Sequence, residues 1–321
     1  MKAAIRLWLI ALTALVAPLP APSAQVTITA SADTSLWQRE VDHNLGGSDI
    51  LPLGTTGVDG PGKKSRLLLK FDIATALPAK AVIQSASLFL HVVIAPMANA
   101  ENSTFDAFPV LNDWGEGNKT YTDPQKPMNS TQAATAGEAT WNYRFHADEN
   151  QRWIAPGGAL NDQDFSEDIS LEFFMQSDAN RDYNVALSPS GLGALQNWLA
   201  NPAANFGWVF VSRKEAFLYT GRQIASRENA TPSFRPKLTI VYTSSPPNPP
   251  QIQSITRNGN SVTVRFTAQA NVVYRPQRRP TVNAGQWFDL PDLGPIANDG
   301  QLEFSENLTG VDERYYRVII P

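Results

Sequence analysis

The 321-residue chain contains no cysteine. It can form no disulfide, bind no metal through thiolate and carry no lipid on cysteine, so the fold must be held by its core alone. Histidine is nearly as scarce. His43, His91 and His146 form no His-x-x-x-His zinc pair, and no Gly-x-Ser-x-Gly nucleophile turn is present. After the first two dozen residues there is no stretch of about 20 apolar residues, so no membrane span is expected. Excess positive charge is also missing. The formal net charge is −4, which argues against nucleic acid or an anionic membrane as a partner.

What is present begins with a targeting pattern. Lys2 and Arg6 precede an apolar run from Leu7 to Ala17, followed by Pro18, Pro20 and Pro22 and the small residues Ala21, Ser23 and Ala24. This order predicts a signal peptide over 1–24, cut after Ser23 or Ala24, and a protein secreted to the extracellular space or cell surface, or held in the periplasm. Without Lys2 and Arg6, 24 basic residues face 30 acidic ones, a net charge of −6.

The 24 prolines and 20 glycines punctuate the chain, as short strands joined by turns require. Residues 244–250, Ser-Ser-Pro-Pro-Asn-Pro-Pro, read as a stiff extended spacer between a domain over 25–243 and a smaller one over 251–321. Period-two alternation marks the strands of the larger domain. Leu67, Leu69, Phe71 and Ile73 share one face against Arg66, Lys70 and Asp72. Ala86, Leu88, Leu90, Val92 and Ile94 alternate with Ser85, Ser87, Phe89 and His91. Ile169 to Met175, Phe206 to Phe210 and Leu238 to Tyr242 repeat the pattern. Ser188-Pro189 and Asn201-Pro202 bracket one helix, with Leu192, Leu195, Trp198 and Leu199 on one face. Six candidate strands and an Asn258-Gly259-Asn260 turn fill the smaller domain, in the spacing of an immunoglobulin- or fibronectin-like sandwich. The expected fold class is therefore all-β, a jelly-roll sandwich followed by a small immunoglobulin-like one.

A series of short segments carries a family likeness. Ala32-Asp33-Thr34 is followed by Asn44-Leu45-Gly46-Gly47-Ser48, then by Ser65 to Asp72, Leu77-Pro78 and Ile83 to Leu90. Asp113-Trp114-Gly115-Glu116-Gly117, Asn205-Phe206-Gly207, Ala225-Ser226-Arg227-Glu228 and Arg235 to Tyr242 come after them in order. In this order and spacing the larger domain resembles the DNRLRE domain. The resemblance implies a β-sandwich of the kind attached to secreted polysaccharide lyases and other surface proteins, some members being carbohydrate-binding modules. The insert at Pro124–Asn161 departs from the pattern by its length.

A carbohydrate-binding reading needs exposed rings and forked polar groups. Trp141, Tyr143 and Trp153, interleaved with Arg144 and Arg152 in the insert, are the candidate stacking platform, although packing in a core is the default for such rings. Arg144, Arg152, Lys214, Arg222 and Arg227 would serve an acidic polysaccharide. Glu228 is expected to accept backbone amides or to pair with an arginine such as Arg66 or Arg235. No cofactor motif occurs. Asp178, Asn180 and Asp182 have the oxygen spacing of a calcium loop, but Tyr183 and Pro189 stand where an EF-hand needs Gly and Glu. A structural calcium remains compatible with them, or with Asp162, Asp164, Glu167 and Asp168; the plain alternative is a solvated acidic loop. The leading expectation is non-catalytic polysaccharide binding. Its rivals are a structural or adhesive surface protein that binds no sugar, and a lyase or glycosidase using Tyr143 or His146 with Arg144; other extracellular or cell-surface proteins are further candidate partners.

Overall fold

The computed structural model describes residues 23–56, 63–95, 100–123, 130–244, 248–270, 272–280, 286–308 and 314–321. Residues 1–22, most of the expected signal segment, and 245–247 of the spacer lie outside them. The fold is nearly all β, and the chain divides into two compact units, Met1–Ser244 and Ser245–Pro321. No helix among the described residues is long and apolar enough to cross a membrane.

The larger unit comprises β1 (Ser23–Thr29), β2 (Ala32–Trp37), β3 (His43–Asn44), β4 (Ile50–Thr55), β5 (Lys64–Lys70), β6 (Ala81–Ile94) and β7 (Ser103–Pro109). Then come β8 (Gln132–Ala133), β9 (Leu171–Met175), β10 (Arg181–Ala186), α1 (Pro189–Ala200), β11 (Trp208–Ser212), β12 (Arg222–Ala225) and β13 (Lys237–Ser244). One sheet centres on β6, which pairs with β13, β10 and β12, while β1 extends it beyond β13. A second runs β2-β5-β11-β7-β9. All these pairings are antiparallel. Strand β4 belongs to both sheets: Ile50 to Leu53 pair with β12, and Gly54 and Thr55 pair with β5. The corner lies at Gly54, whose φ is +99° and where an added Cβ would come within 2.6 Å of the Thr220 carbonyl oxygen. Only glycine turns the chain there without strain.

Between the sheets, Leu67, Leu69 and Phe71 meet Leu88, Leu90 and Val92, together with Trp208 and Phe210. Helix α1 closes one end. The Ser188 hydroxyl accepts from the Gly191 N–H at 3.1 Å as N-cap, Pro189 opens the helix, and Trp198 meets the Trp208 ring edge-on at 4.9 Å. The sequence-predicted helix therefore stands, with Leu195, Trp198 and Leu199 inward.

The second sheet is not wet on its outer face. Leu68 in β5, Val209 and Val211 in β11 and Phe108 in β7 point outward into a second core completed by Trp114, Trp141, Trp153 and Phe165. The described part of the insert, residues 130–161, thus forms a third layer. Fully burying each aliphatic side chain is worth about 1.5–3 kcal/mol, so this layer is comparable to a core rather than to a surface loop. Arg66 fastens it: its guanidinium pairs with Glu215 through two contacts of 2.8 Å and donates to the Gly157 and Gly158 carbonyls at 2.9 and 2.7 Å. His91, expected on a polar face, is buried; it stacks on Phe234 at 3.6 Å between ring centres and bonds Asp182 at 2.6 Å.

The smaller unit has β14 (Ile252–Asn258), β15 (Ser261–Ala268), β16 (Arg275–Arg279), β17 (Phe288–Asp289), β18 (Gly300–Asn307) and β19 (Tyr315–Ile319) in two three-stranded sheets, β14-β15-β18 and β17-β16-β19. Gly259, with φ +60°, turns β14 into β15. Val264 and Phe266 of β15 pack in cores that also contain Phe304 of β18 and Tyr316 and Val318 of β19.

If the insert is a packed layer, Leu68→Ala should cost about as much as Leu69→Ala on the opposite face, roughly 2–5 kcal/mol. Urea denaturation of the two variants checks this. A loss under about half a kcal/mol at Leu68, with a large one at Leu69, would mean an open outer face.

Candidate functional site

The aromatic residues expected to stack on sugar are inside. Trp141 and Trp153 are each 4% exposed and Tyr143 is 8% exposed. The reason is the apolar outer face of the second sheet, which the insert covers with its largest rings. The Trp153 indole N–H donates to the Thr140 carbonyl at 3.0 Å and the Tyr143 hydroxyl to Glu149 at 2.6 Å; Trp114, in the same core, donates to the Phe206 carbonyl at 2.9 Å. A sugar face cannot reach them.

The expected cations are engaged as well. Arg152 lies 4.1 Å from the Tyr143 ring centre and donates to both Glu149 and the Tyr143 hydroxyl, which in turn donates to Glu149 at 2.6 Å. Hydrogen bonds from Arg152, then from Tyr143, hold the Glu149 carboxyl down at about 2; the same bond to Glu149 pushes the tyrosine hydroxyl up. Lys214 pairs with Glu101 at 3.5 Å. Arg222 is buried and donates to the carbonyls of Gln176, Gly221 and Glu101 at 2.8–2.9 Å, so it is a strut between β12 and two neighbouring segments. Arg144 contacts the Asp113 carbonyl at 3.4 Å. The eight residues do not form one surface. Three rings and Arg222 are buried, and Arg152, Lys214 and Arg227 are neutralised by carboxylates.

Asp178, Asn180 and Asp182 do not converge on an ion either. Asp178 pairs with Arg181 at 2.6 Å, while Asp182 turns to His91. In the second acidic stretch Asp164 is buried and staples its loop, accepting from the Ile154 and Ala159 N–H groups at 2.8 and 2.9 Å.

The structure brings together a different set. Asp33 of β2, Glu116 of the Asp-Trp-Gly-Glu-Gly turn and Arg227-Glu228 after β12 meet at one rim of the larger unit. Glu116 Oε1 accepts from the Asp33 N–H at 2.8 Å and from Arg227 Nε at 2.6 Å; Arg227 Nε also lies 2.8 Å from Glu228 Oε1. The Arg227 N–H donates to Asp33 Oδ2 at 2.7 Å. Glu228 therefore pairs with its own neighbour and not with Arg66 or Arg235. Asn44 holds the turn in place, donating to the Glu116 carbonyl at 2.8 Å and to that of Ala139 at 2.9 Å. Gly117, at φ +78°, passes too close to the Asn44 amide for any side chain. Burial pushes the Asp33 carboxyl well above the usual aspartate range, and burial likewise raises Glu228. All three acids lie in segments that carry the family likeness, but they are far apart in the chain, and sequence spacing gave no sign of their meeting.

A second feature is concave. A groove of about 450 Å³ runs between α1 and the segments 109–111, 166–168 and 204–206. Leu111, Phe206 and Trp198 supply apolar surface; Ser166, Asp168, Ser190 and Asn197 supply hydroxyl, carboxylate and amide groups. Gly193 and Ala194 keep the helix side of it open, and a Cβ at Gly193 would meet nothing within 4 Å.

Two outcomes are expected. Trp153→Ala should cost roughly 3–5 kcal/mol of stability in urea, because it empties the second core. The Glu149 carboxyl should titrate near 2 by carbon-detected NMR and return toward its ordinary 4.5 in Arg152→Ala. Because its folded value is depressed, its contribution to stability is present above the ordinary glutamate value and is lost as pH falls toward about 2.

No family model and no curated protein matches the chain. Among solved structures, a crystal structure of a β-1,2-glucanase from Parabacteroides distasonis aligns with 92% of this chain and 34% of that one, at 11% identity and a TM-score of 0.16. The chain thus spans about a third of that enzyme's length, and so slight a likeness carries no argument about fold or function.

Proposed function

We propose that this is a secreted, non-catalytic polysaccharide-binding protein, and that its larger unit holds the glycan in the groove beside α1. The carrying observation is the chemistry of that groove: apolar side chains line it together with two hydroxyls, an amide and one carboxylate. Such a surface suits a hydroxyl-rich chain, whose C–H faces lie on apolar side chains while its hydroxyls exchange hydrogen bonds with the rim. The likeness of the larger domain to the DNRLRE domain points the same way.

The groove also revises the kind of glycan. Among the described residues no lysine or arginine lines it, and Asp168 does. A neutral polysaccharide fits this surface better than the acidic one expected from the arginines, most of which are already paired. A single lining carboxylate gives no acid–base couple across a scissile bond, which favours holding a chain over cutting it. Asp33, with its raised carboxyl, is shut off from solvent and cannot approach a substrate.

Affinity electrophoresis of the full chain in gels containing neutral β-glucans, alginate or pectin tests this. Retardation by a neutral glucan is expected. Gly193→Trp should abolish it by filling the groove, with Tm unchanged because the site is open on the helix surface. Retardation on no polymer would favour a structural or adhesive protein. Retardation by acidic polymers alone, or retardation untouched by Gly193→Trp, would place the binding surface elsewhere. Release of reducing or unsaturated ends would make the protein an enzyme.

A further inference from the structure

We infer that Asp33, Glu116 and Glu228 form a divalent-cation site that takes calcium. Each offers one carboxylate oxygen, and the three oxygens lie within 4.8 Å of one another. A Ca²⁺–oxygen distance is about 2.4 Å, so three oxygens this close fit around one ion. The donors are all hard carboxylates, with no histidine in the group and no cysteine in the chain. That set suits calcium rather than zinc or copper.

The hydrogen bonds point to a missing partner. Asp33 is wholly buried, and neither its Oδ1 nor Glu228 Oε2 receives an N–H or O–H from any other side chain or main-chain group; the two carboxyls face only each other. The other oxygens of these residues are used, Asp33 Oδ2 by the Arg227 N–H and Glu228 Oε1 by the Arg227 guanidinium. A buried carboxylate oxygen with no partner is costly, and a bound cation removes that cost. Charge agrees: three carboxylates against one guanidinium leave two negative charges, which one divalent ion balances.

The frame is built before any ion arrives. Main-chain N–H groups of Asp33 and Arg227 fix the carboxylates, and Asn44 fixes the turn bearing Glu116. An ion here ties β2, the root of the insert and the loop after β12 into one unit. Its effect is on stability, separate from glycan binding in the groove.

The rival occupant is a proton shared between Asp33 and Glu228. The full chain, stripped with chelator and returned to neutral pH, separates the two by calorimetric titration with Ca²⁺ and Mg²⁺ and by thermal melts. One equivalent of Ca²⁺ should bind, with Mg²⁺ weaker, and Tm should climb with Ca²⁺ concentration. Asp33→Asn keeps the shape and the acceptor for the Arg227 N–H, and should weaken Ca²⁺ at least tenfold. Glu228→Gln, at a partly exposed position, should do the same and serves if the buried variant fails to fold. Asp178→Asn, in the other acidic stretch, should leave the affinity unchanged. No stoichiometric uptake at millimolar Ca²⁺, or uptake indifferent to Asp33→Asn and Glu228→Gln, overturns the inference. A Tm insensitive to Ca²⁺ but raised by Asp33→Asn assigns the site to a proton.

Discussion

Strand β11 is apolar on both faces and β5 adds Leu68 to its otherwise charged outer face, and the architecture of the larger unit depends on that. Leu67, Leu69, Trp208 and Phe210 turn toward the opposite sheet, while Leu68, Val209 and Val211 turn away from it. A sandwich of two sheets satisfies only the first set. Leaving the second in water would forgo roughly 1.5–3 kcal/mol for each aliphatic side chain. The long insert exists, in physical terms, to cover it, and in doing so it draws Trp114, Trp141 and Trp153 inward.

That arrangement decides where function can lie. A ring that closes a core cannot also stack on a sugar, and an arginine that pins the insert, as Arg66 does through Glu215 and two glycine carbonyls, is not free for a ligand. Of the five cations expected to meet a glycan, Arg222 is a buried strut, while Arg152, Lys214 and Arg227 pair with carboxylates at partly exposed positions. In the larger unit a groove is open beside α1, where Gly193 and Ala194 project almost nothing into it. The cation site and the groove are distinct, the one buried and charged, the other open and mostly neutral.

The carboxylate cluster follows a similar logic. Main-chain N–H groups and one arginine assemble acids from three distant segments, yet Asp33 Oδ1 and Glu228 Oε2 are left without donors. In a protein without disulfides, a bound ion at this point would do for three segments what a covalent cross-link does elsewhere.

Much of the fold was legible in the sequence because it is local. Alternation in 65–74 and 85–94 marked β5 and β6, Ser188-Pro189 and Asn201-Pro202 bracketed α1, and Gly259 marked the first hairpin of the smaller unit. Even the two-sided burial had a trace, the unbroken runs Leu67-Leu68-Leu69 and Trp208-Val209-Phe210-Val211, which alternation alone does not explain. The site was not legible. Whether Trp153 is a platform or a core residue depends on Leu68, Val209 and Phe165, and whether Arg227 is a ligand-binding group depends on Glu116, 111 positions away. Periodicity fixes which side of a strand a residue occupies. Only the tertiary structure decides what covers that side, because the cover comes from segments with no local relation to it.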